Sequence, residues 1–308
     1  MAAIIASLVP VFLLIATGWA SRASGFVNDQ CWSGIERITY VMFFPALIVK
    51  TLSQADLSTV PMTGVGGALM IAILLMSALV LLSRPLLQRA FAIDGPSFTS
   101  VFQGATRWNS FTGLAVAESL FGQRGVTLMA VAIAAMVPLL NVLAIFVFVR
   151  FAGGPKQRWS QILRTFATNP FIWSCGIGLA MNAFGIVLPR PLSVFLDALA
   201  SAALAAGLLV VGAGLDIRRL AKPRAPHAIA SALKLVAMPC IAVALARSFD
   251  VTGADITVTA IAASVPSASA AYVLARQLGG NAALMAEILT LQTLFAMASM
   301  PIMMTVLS

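Results

Sequence analysis

From Phe98 to Phe121 the chain reads FTSVFQGATRWNSFTGLAVAESLF, and the fold turns on how this stretch is explained. Its flanks are apolar enough for a buried helix. Its centre is not: Gln103, Arg107, Asn109, Ser110, Thr112 and Gly113 fall within eleven residues of one another. A charge at the middle of a bilayer costs about 2.5–3.5 kcal/mol on insertion scales. If this segment crosses a membrane, its middle must face a polar cavity or other protein and not lipid.

The rest of the chain shows that it does cross one. Of 308 residues, 60% are hydrophobic and only 9% charged, against about 25% charged in soluble domains. Apolar runs occupy 4–20, 35–52, 62–82, 98–121, 127–151, 170–186, 192–215, 229–246, 256–274 and 282–307, and a hydrocarbon core of about 30 Å needs about 20 apolar residues per helix. These runs predict an all-α membrane protein of ten transmembrane helices, with short loops and no soluble domain. The first run has no Lys or Arg before it and Arg22 just after it, which fits a retained span better than a cleaved signal peptide.

With the N-terminus outside, Arg22, Arg84, Arg89, Arg150, Lys156, Arg158, Arg164, Arg218, Arg219, Lys222, Arg224 and Arg276 fall in cytoplasmic loops, and only Lys50, Arg124, Arg190 and Arg247 lie outside. The positive-inside rule then puts both termini outside, in a bacterial inner (plasma) membrane. The net charge of +9 is therefore topogenic, scattered between apolar runs, and gives no nucleic acid-binding face.

The two halves of the chain resemble each other. At a constant offset Pro10, Gly18 and Gly25 fall on Pro170, Gly178 and Gly185, and LFGQRGVTLMA from Leu120 resembles LGGNAALMA from Leu278. This predicts a first five-helix repeat over 1–151, a basic cytoplasmic linker over 152–168 and a second repeat over 169–308. An odd number of spans per repeat inverts the second copy, the symmetry on which alternating-access carriers are built.

The repeat partner of the fourth span is the ninth, which carries Thr257, Thr259, Ser264, Pro266, Ser267 and Ser269. Pro266 lacks an N–H and clashes with the preceding turn, freeing carbonyls in mid-membrane. Two interrupted helices in matching positions would expose half-helix N-termini, whose free N–H groups and partial positive charge suit a carboxylate. The alternative is that Ser and Thr only join helices and Pro266 is a simple kink.

At this point the chain resembles the auxin efflux carrier family, which includes bacterial malate and malonate permease-like proteins and the plant PIN-FORMED carriers. The resemblance runs over nearly the whole chain through Val9-Pro10-Val11-Phe12 with Gly18, Pro45-Ala46-Leu47, Asn109 to Gly113 with Phe121-Gly122, Asn169-Pro170, Gly212-Ala213-Gly214-Leu215, and Pro266 with Ala271-Tyr272-Val273-Leu274-Ala275. It implies ten spans in two inverted five-helix repeats, broken helices 4 and 9 that cross, an architecture like that of sodium–proton antiporters and bile-acid symporters, and a small organic anion bound at the crossing. Family members tend to read Arg-Asn directly and to have a proline soon after the glycine of the fourth span. Here the sequence is Arg107-Trp108-Asn109 and Gly113-Leu114-Ala115, so the break must rest on Asn109, Ser110 and Gly113.

The expected substrate-binding residues are thus Asn109, Pro266, Ser110, Gly113, Pro45, Arg107 and Ser267. Arg107 either neutralises a carboxylate, pairs with a nearby acid or lies in a vestibule. Pro45 either lines the site or kinks the second span. Glu287, about two turns into the last span, is either a proton-coupling group or a structural acid near the cytoplasmic interface. Asp197, Glu118 and Lys234 are placed near span ends, where they can snorkel or pair. Gln292 and Asn141 suit bonds between helices.

Catalysis finds no support. The sole histidine, His227, falls in a basic loop, so no His triad or multi-His metal site can be built, and HExxH and Walker sequences are lacking. Gly212-Ala213-Gly214-Leu215-Asp216 misses an intramembrane aspartyl protease pattern by one residue. Cys31, Cys175 and Cys240 have no metal-ligand spacing. No cofactor or metal is expected, and the partners are the lipid bilayer and a small organic anion, with a homodimer left open. A sodium- or proton-coupled symporter or antiporter is the runner-up, and a membrane sensor or scaffold would need longer loops or tails.

Overall fold

The structure, a computed structural model of the chain, describes residues 2–55, 62–152, 168–217, 224–268 and 270–307. Most of the expected 152–168 linker, with Lys156, Arg158 and Arg164, lies outside the described residues, as do Arg218, Arg219, Lys222 and Ser269. Every described element is helical. Thr63–Phe91, Gly95–Phe151, Arg190–Ala213, Ala225–Ser248 and Ala282–Leu307 are each long and apolar enough to cross a membrane, and Leu8–Ala23 is a shorter apolar stretch. This is an all-α integral membrane protein. Its residues gather into two compact units: Met1–Met62, Ser110–Ala134 and Leu163–Gly214 form the first, and Thr63–Asn109, Ala135–Ile162 and Leu215–Ser308 the second.

In the first unit, α1 (Ala2–Ala23) packs along α8 (Arg190–Ala213). Small residues permit the approach: a Cβ on Gly18 would run into the Leu209 carbonyl, and one on Gly212 into that of Ile15. Such contacts drive helix association in lipid, where burying apolar surface gains nothing. The second apolar run forms α2 (Asp29–Ile38), a wide turn over Thr39–Phe43 and α3 (Phe44–Gln54). The widening follows from Pro45. A proline ring crowds the carbonyl four residues back and offers it no N–H, and here Phe44 N–H reaches Thr39 O, five residues back. α7 (Pro170–Ala183) packs on α3 with Gly178 against Leu52 and Val49, and Asn182 Nδ2 donates to Ala55 O at 2.7 Å, capping the end of α3. Lys50 and Asp197 form an ion pair at 2.7 Å.

In the second unit, α4 (Met62–Phe91) leads to α5 (Gly95–Thr106). Asp94 caps α5 by accepting from Ser97 N–H at 2.9 Å, and Pro96 occupies the first turn, where its missing N–H costs nothing. α6 (Ser110–Phe151), which belongs to the first unit up to Ala134 and to the second from Ala135, is interrupted at Gly122, with φ 54° and ψ −139°. The eighth run is α9 (Ala225–Ala232), a second wide turn over Leu233–Ala237 and α10 (Met238–Ser248). Pro239 explains this turn as Pro45 does the first, with Met238 N–H bonded to Leu233 O. α11 (Gly253–Ser264), α12 (Ala270–Leu278) and α13 (Ala282–Leu307) complete the unit.

Two placements made from sequence are corrected here. Lys234 is not near a span end: its helix starts at Ala225, four residues before the apolar run, so the lysine lies well inside and is fully buried. His227 is not a loop residue either. It is buried in the first turn of α9, where its Nδ1 accepts from Arg224 N–H at 3.2 Å.

Candidate functional site

Both polar spans are interrupted, each after a helix of 12 residues. α5 closes with Arg107 N–H bonded to Gln103 O, and Arg107 then turns out of the helix to φ −69°, ψ 155°. The next helical residue is Ser110. α11 likewise stops at Ser264, with Val265 at φ −63°, ψ 147°. The cause at Val265 is local, since a residue before proline is driven out of the helical region. No proline follows Arg107; what holds that break is tertiary. Asn109 N–H donates to Pro266 O at 2.8 Å, so a donor freed by one break meets a carbonyl freed by the other. The two interruptions are joined by their own backbone.

Gln292 of α13 fastens the joint from beneath. Its Oε1 accepts from Ser267 N–H at 3.0 Å and from Ser267 Oγ at 2.7 Å, and its Nε2 donates to Gly104 O at 2.8 Å and Ala230 O at 3.2 Å. A glutamine amide has two donors and one oxygen with two lone pairs, so every valence is used, in a residue with no exposed surface. Ser267 Oγ also lies 3.2 Å from Gly104 O. Gln103 Nε2 donates across to Ala271 O at 3.0 Å, tying the last turn of α5 to the first of α12. Gly104 makes the close packing possible, because a Cβ there would stand 2.9 Å from both Ala230 Cβ and Ile288 Cγ2. At the other end of α5, Asn281 Nδ2 reaches Ser97 Oγ and Ser100 Oγ reaches Asn281 O, fixing the starts of α5 and α13 together.

Among the residues expected from sequence, Arg107, Asn109, Pro266 and Ser267 are thus gathered in the second unit. Arg107 is buried, and one terminal nitrogen donates to Asn141 Oδ1 at 3.0 Å. Ser110 and Gly113 belong to the first unit and lie in the first turn of α6. Gly113 is therefore helical and no part of the break, which spans 107–109. Pro45 is also in the first unit and shapes the wide turn, while its neighbour Phe44 stacks on Phe111 at 4.3 Å between ring centroids. Gly207 makes room for that stack. Glu287 is not at the joint: its Oε2 lies 2.7 Å from His227 Nε2 and 3.9 Å from Arg224. Since Nδ1 accepts a backbone N–H, Nε2 carries the imidazole proton and donates to the carboxylate. Together with Ser97, Asn281 and Leu284, Glu287 and Arg224 line a cavity of about 480 Å³. Gln292 and Asn141, expected to bond between helices, do so.

Among the described residues, buried side-chain atoms with no hydrogen-bond partner include Gln103 Oε1, Trp108 Nε1, Ser231 Oγ, Lys234 Nζ, Ser264 Oγ, Ser77 Oγ and Ser299 Oγ in the second unit and Trp32 Nε1, Thr39 Oγ1 and Thr51 Oγ1 in the first.

The chain matches the membrane transport protein family from residue 3 to residue 304. It is also 25% identical over 301 residues to an uncharacterized transporter of Methanothermobacter thermautotrophicus, with 96% of each chain covered. A match over nearly the full length, on a membrane protein whose two polar spans are broken and joined, settles the class: this chain is a secondary membrane transporter, not an enzyme, and belongs to the membrane transport protein family.

Proposed function

We propose that this transporter moves small organic anions, mono- or dicarboxylates of the auxin, malate or malonate kind, by alternating access. The observation that carries the reading is the Asn109 N–H to Pro266 O bond at 2.8 Å, which links two helix breaks beside the buried Arg107. Helix termini in mid-membrane supply N–H groups, and a guanidinium adds a forked donor, a combination suited to a carboxylate. Arg107, Asn109, Pro266 and Ser267 are the proposed contacts in the second unit. Ser110, Gly113 and Pro45 remain candidates from sequence.

The proposed frame is ten spans in inverted repeats over 1–151 and 169–308, with both termini outside in a bacterial inner membrane. Matched positions in the two halves support the repeat. Gly18 and Gly178 both sit where a Cβ would collide with a neighbouring helix, and Gly25 and Gly185 both end a helix with positive φ, 74° and 62°. One change of unit along the chain falls between Asn109 and Ser110, just after the break.

Asn109→Ala tests the reading, because it removes the carboxamide and keeps the backbone N–H that joins the breaks. Uptake of labelled malate, malonate or indole-3-acetate into proteoliposomes is expected to fall by about 10–100-fold, the worth of a hydrogen bond to a charged group, with thermal stability little changed. Undiminished uptake would take Asn109 out of the mechanism.

A further inference from the structure

Lys234 has no exposed surface, and among the described residues its Nζ has neither a hydrogen-bond partner nor an ion pair. A buried ammonium without an acceptor is among the most costly groups a protein can hold. Its position in the second unit follows from its neighbours. Ser97 at the start of α5 and Pro226 at the start of α9 line one cavity, and further on Gly104 of α5 meets Ala230 of α9. The two helices therefore run side by side in the same direction. Lys234 follows Ala230 by four residues on the same face, an advance of about 6 Å. The wide turn that carries Lys234 packs against α5, the helix that ends at the 107–109 break. The wide turn that carries Lys234 also packs against α11 and α13, and Trp108 Nε1 and Ser264 Oγ, beside the two breaks, are among the buried atoms with no partner.

The other titratable groups on the packed elements are accounted for. The helical residues of α5 contribute none, and Arg107 at its C-cap donates to Asn141 and is charged at every pH. On α9, His227 is engaged with Glu287 of α13. On α10, Cys240 and Arg247 are exposed, and on α11 Asp255 lies in the first turn, nine residues before Ser264.

We propose that Lys234 is a second cationic partner of the transported carboxylate, in addition to Arg107, and that the proton it carries enters with the anion. This rests on the organic-anion reading above. The amine takes one proton from water to become an ammonium, and no bond of the carboxylate is made or broken. Each event favours the other, because the anion supplies the acceptor and the opposite charge that the ammonium lacks, and such coupling is reciprocal. The proton then crosses with the anion and lowers the transported negative charge by one, to zero for a monocarboxylate, which names the coupling ion.

The test is calorimetric titration of the purified full-length transporter with malate, malonate and indole-3-acetate, at one pH in two buffers of different ionisation enthalpy. Wild type is expected to take up close to one proton per anion bound. Lys234→Met, matched in length and free of buried charge, should stay monodisperse, bind at least about tenfold more weakly and take up no proton. Lys234→Arg, charged at every pH, should bind without proton uptake. Wild-type affinity and proton uptake in Lys234→Met would overturn the assignment and leave the carrier reading standing, as would wild-type binding without proton uptake. A wild type that binds none of the three acids overturns the organic-anion reading, and this inference with it.

Discussion

Replacing Gln292 by leucine removes the amide that fastens the joined breaks and keeps a similar volume in the core. The consequences can be worked through atom by atom. Ser267 N–H loses its acceptor, and being buried it finds no water, a cost of about 1–3 kcal/mol. Ser267 Oγ still has Gly104 O within 3.2 Å, so that carbonyl and that hydroxyl keep each other. The bonds to Gly104 O and Ala230 O lose their net worth of about 0.5–1.5 kcal/mol each. The sum is about 2–6 kcal/mol, and at a few degrees per kcal/mol the melting midpoint in detergent should fall by about 5–15 °C. Gln292→Glu sharpens the test. A neutral carboxyl keeps the acceptor for Ser267 and one donor, and an ionised one loses both donors and buries a charge. Fluorescence-detected melting of wild type and both variants is the assay, with uptake measured well below the midpoint. Uptake should fall even where the protein is folded, since Ser267 then holds Pro266 less firmly against Asn109. If Gln292→Leu melts with wild type and transports at the wild-type rate, the amide is not the fastening described here.

Two further substitutions probe the frame on which the joint depends. Gly104→Val places carbon atoms against Ala230 and Ile288, already 2.9 Å from an added Cβ, and such overpacking costs about 1–3 kcal/mol; lower yield of folded protein and a lower melting midpoint are expected, and wild-type behaviour would show that α5 and α9 can part freely. Gly122→Ala forces a side chain on to φ 54°, ψ −139°, a strain of about 1–3 kcal/mol, while a Cβ there meets no neighbour within 4 Å; the loss should therefore appear in stability alone, and an unchanged midpoint would argue against the interruption.

Much of the fold could be read in the sequence because lipid leaves a backbone few choices. With no water to satisfy N–H and C=O groups, a long apolar run must be a helix, and the described apolar runs are helical. The break at Pro266 was legible for a similar reason, since proline acts on its own turn whatever the surroundings. The break at 107–109 was only half legible. Its polar residues marked the place, but no local rule ends a helix at Thr106; the reason lies about 160 residues away at Pro266 O, and no reading of neighbours along the chain supplies it. Gly113 was misread for the same cause: glycine suggests a break, and here it is an ordinary helical residue.

Lys234 and His227 escaped for another reason, which bears on how such sites are built. Both were placed by counting from the apolar run at 229, whereas α9 begins at Ala225, where Pro226 occupies the first turn and His227 accepts the Arg224 N–H. Four extra residues carry Lys234 more than a turn deeper than its place in the apolar run implies. Pro239 then widens the turn around it, so this buried lysine sits on a helix that is itself locally loosened. The irregular turns described at 107–109, 233–237 and 265–268 occur on elements that pack on one another. Regular helices would satisfy their own backbone and leave nothing over. Loosened ones leave donors and acceptors, and Gln292 takes up only part of them. What remains unmet includes an amine and an indole N–H, donors for which the proposed carboxylate would be an acceptor.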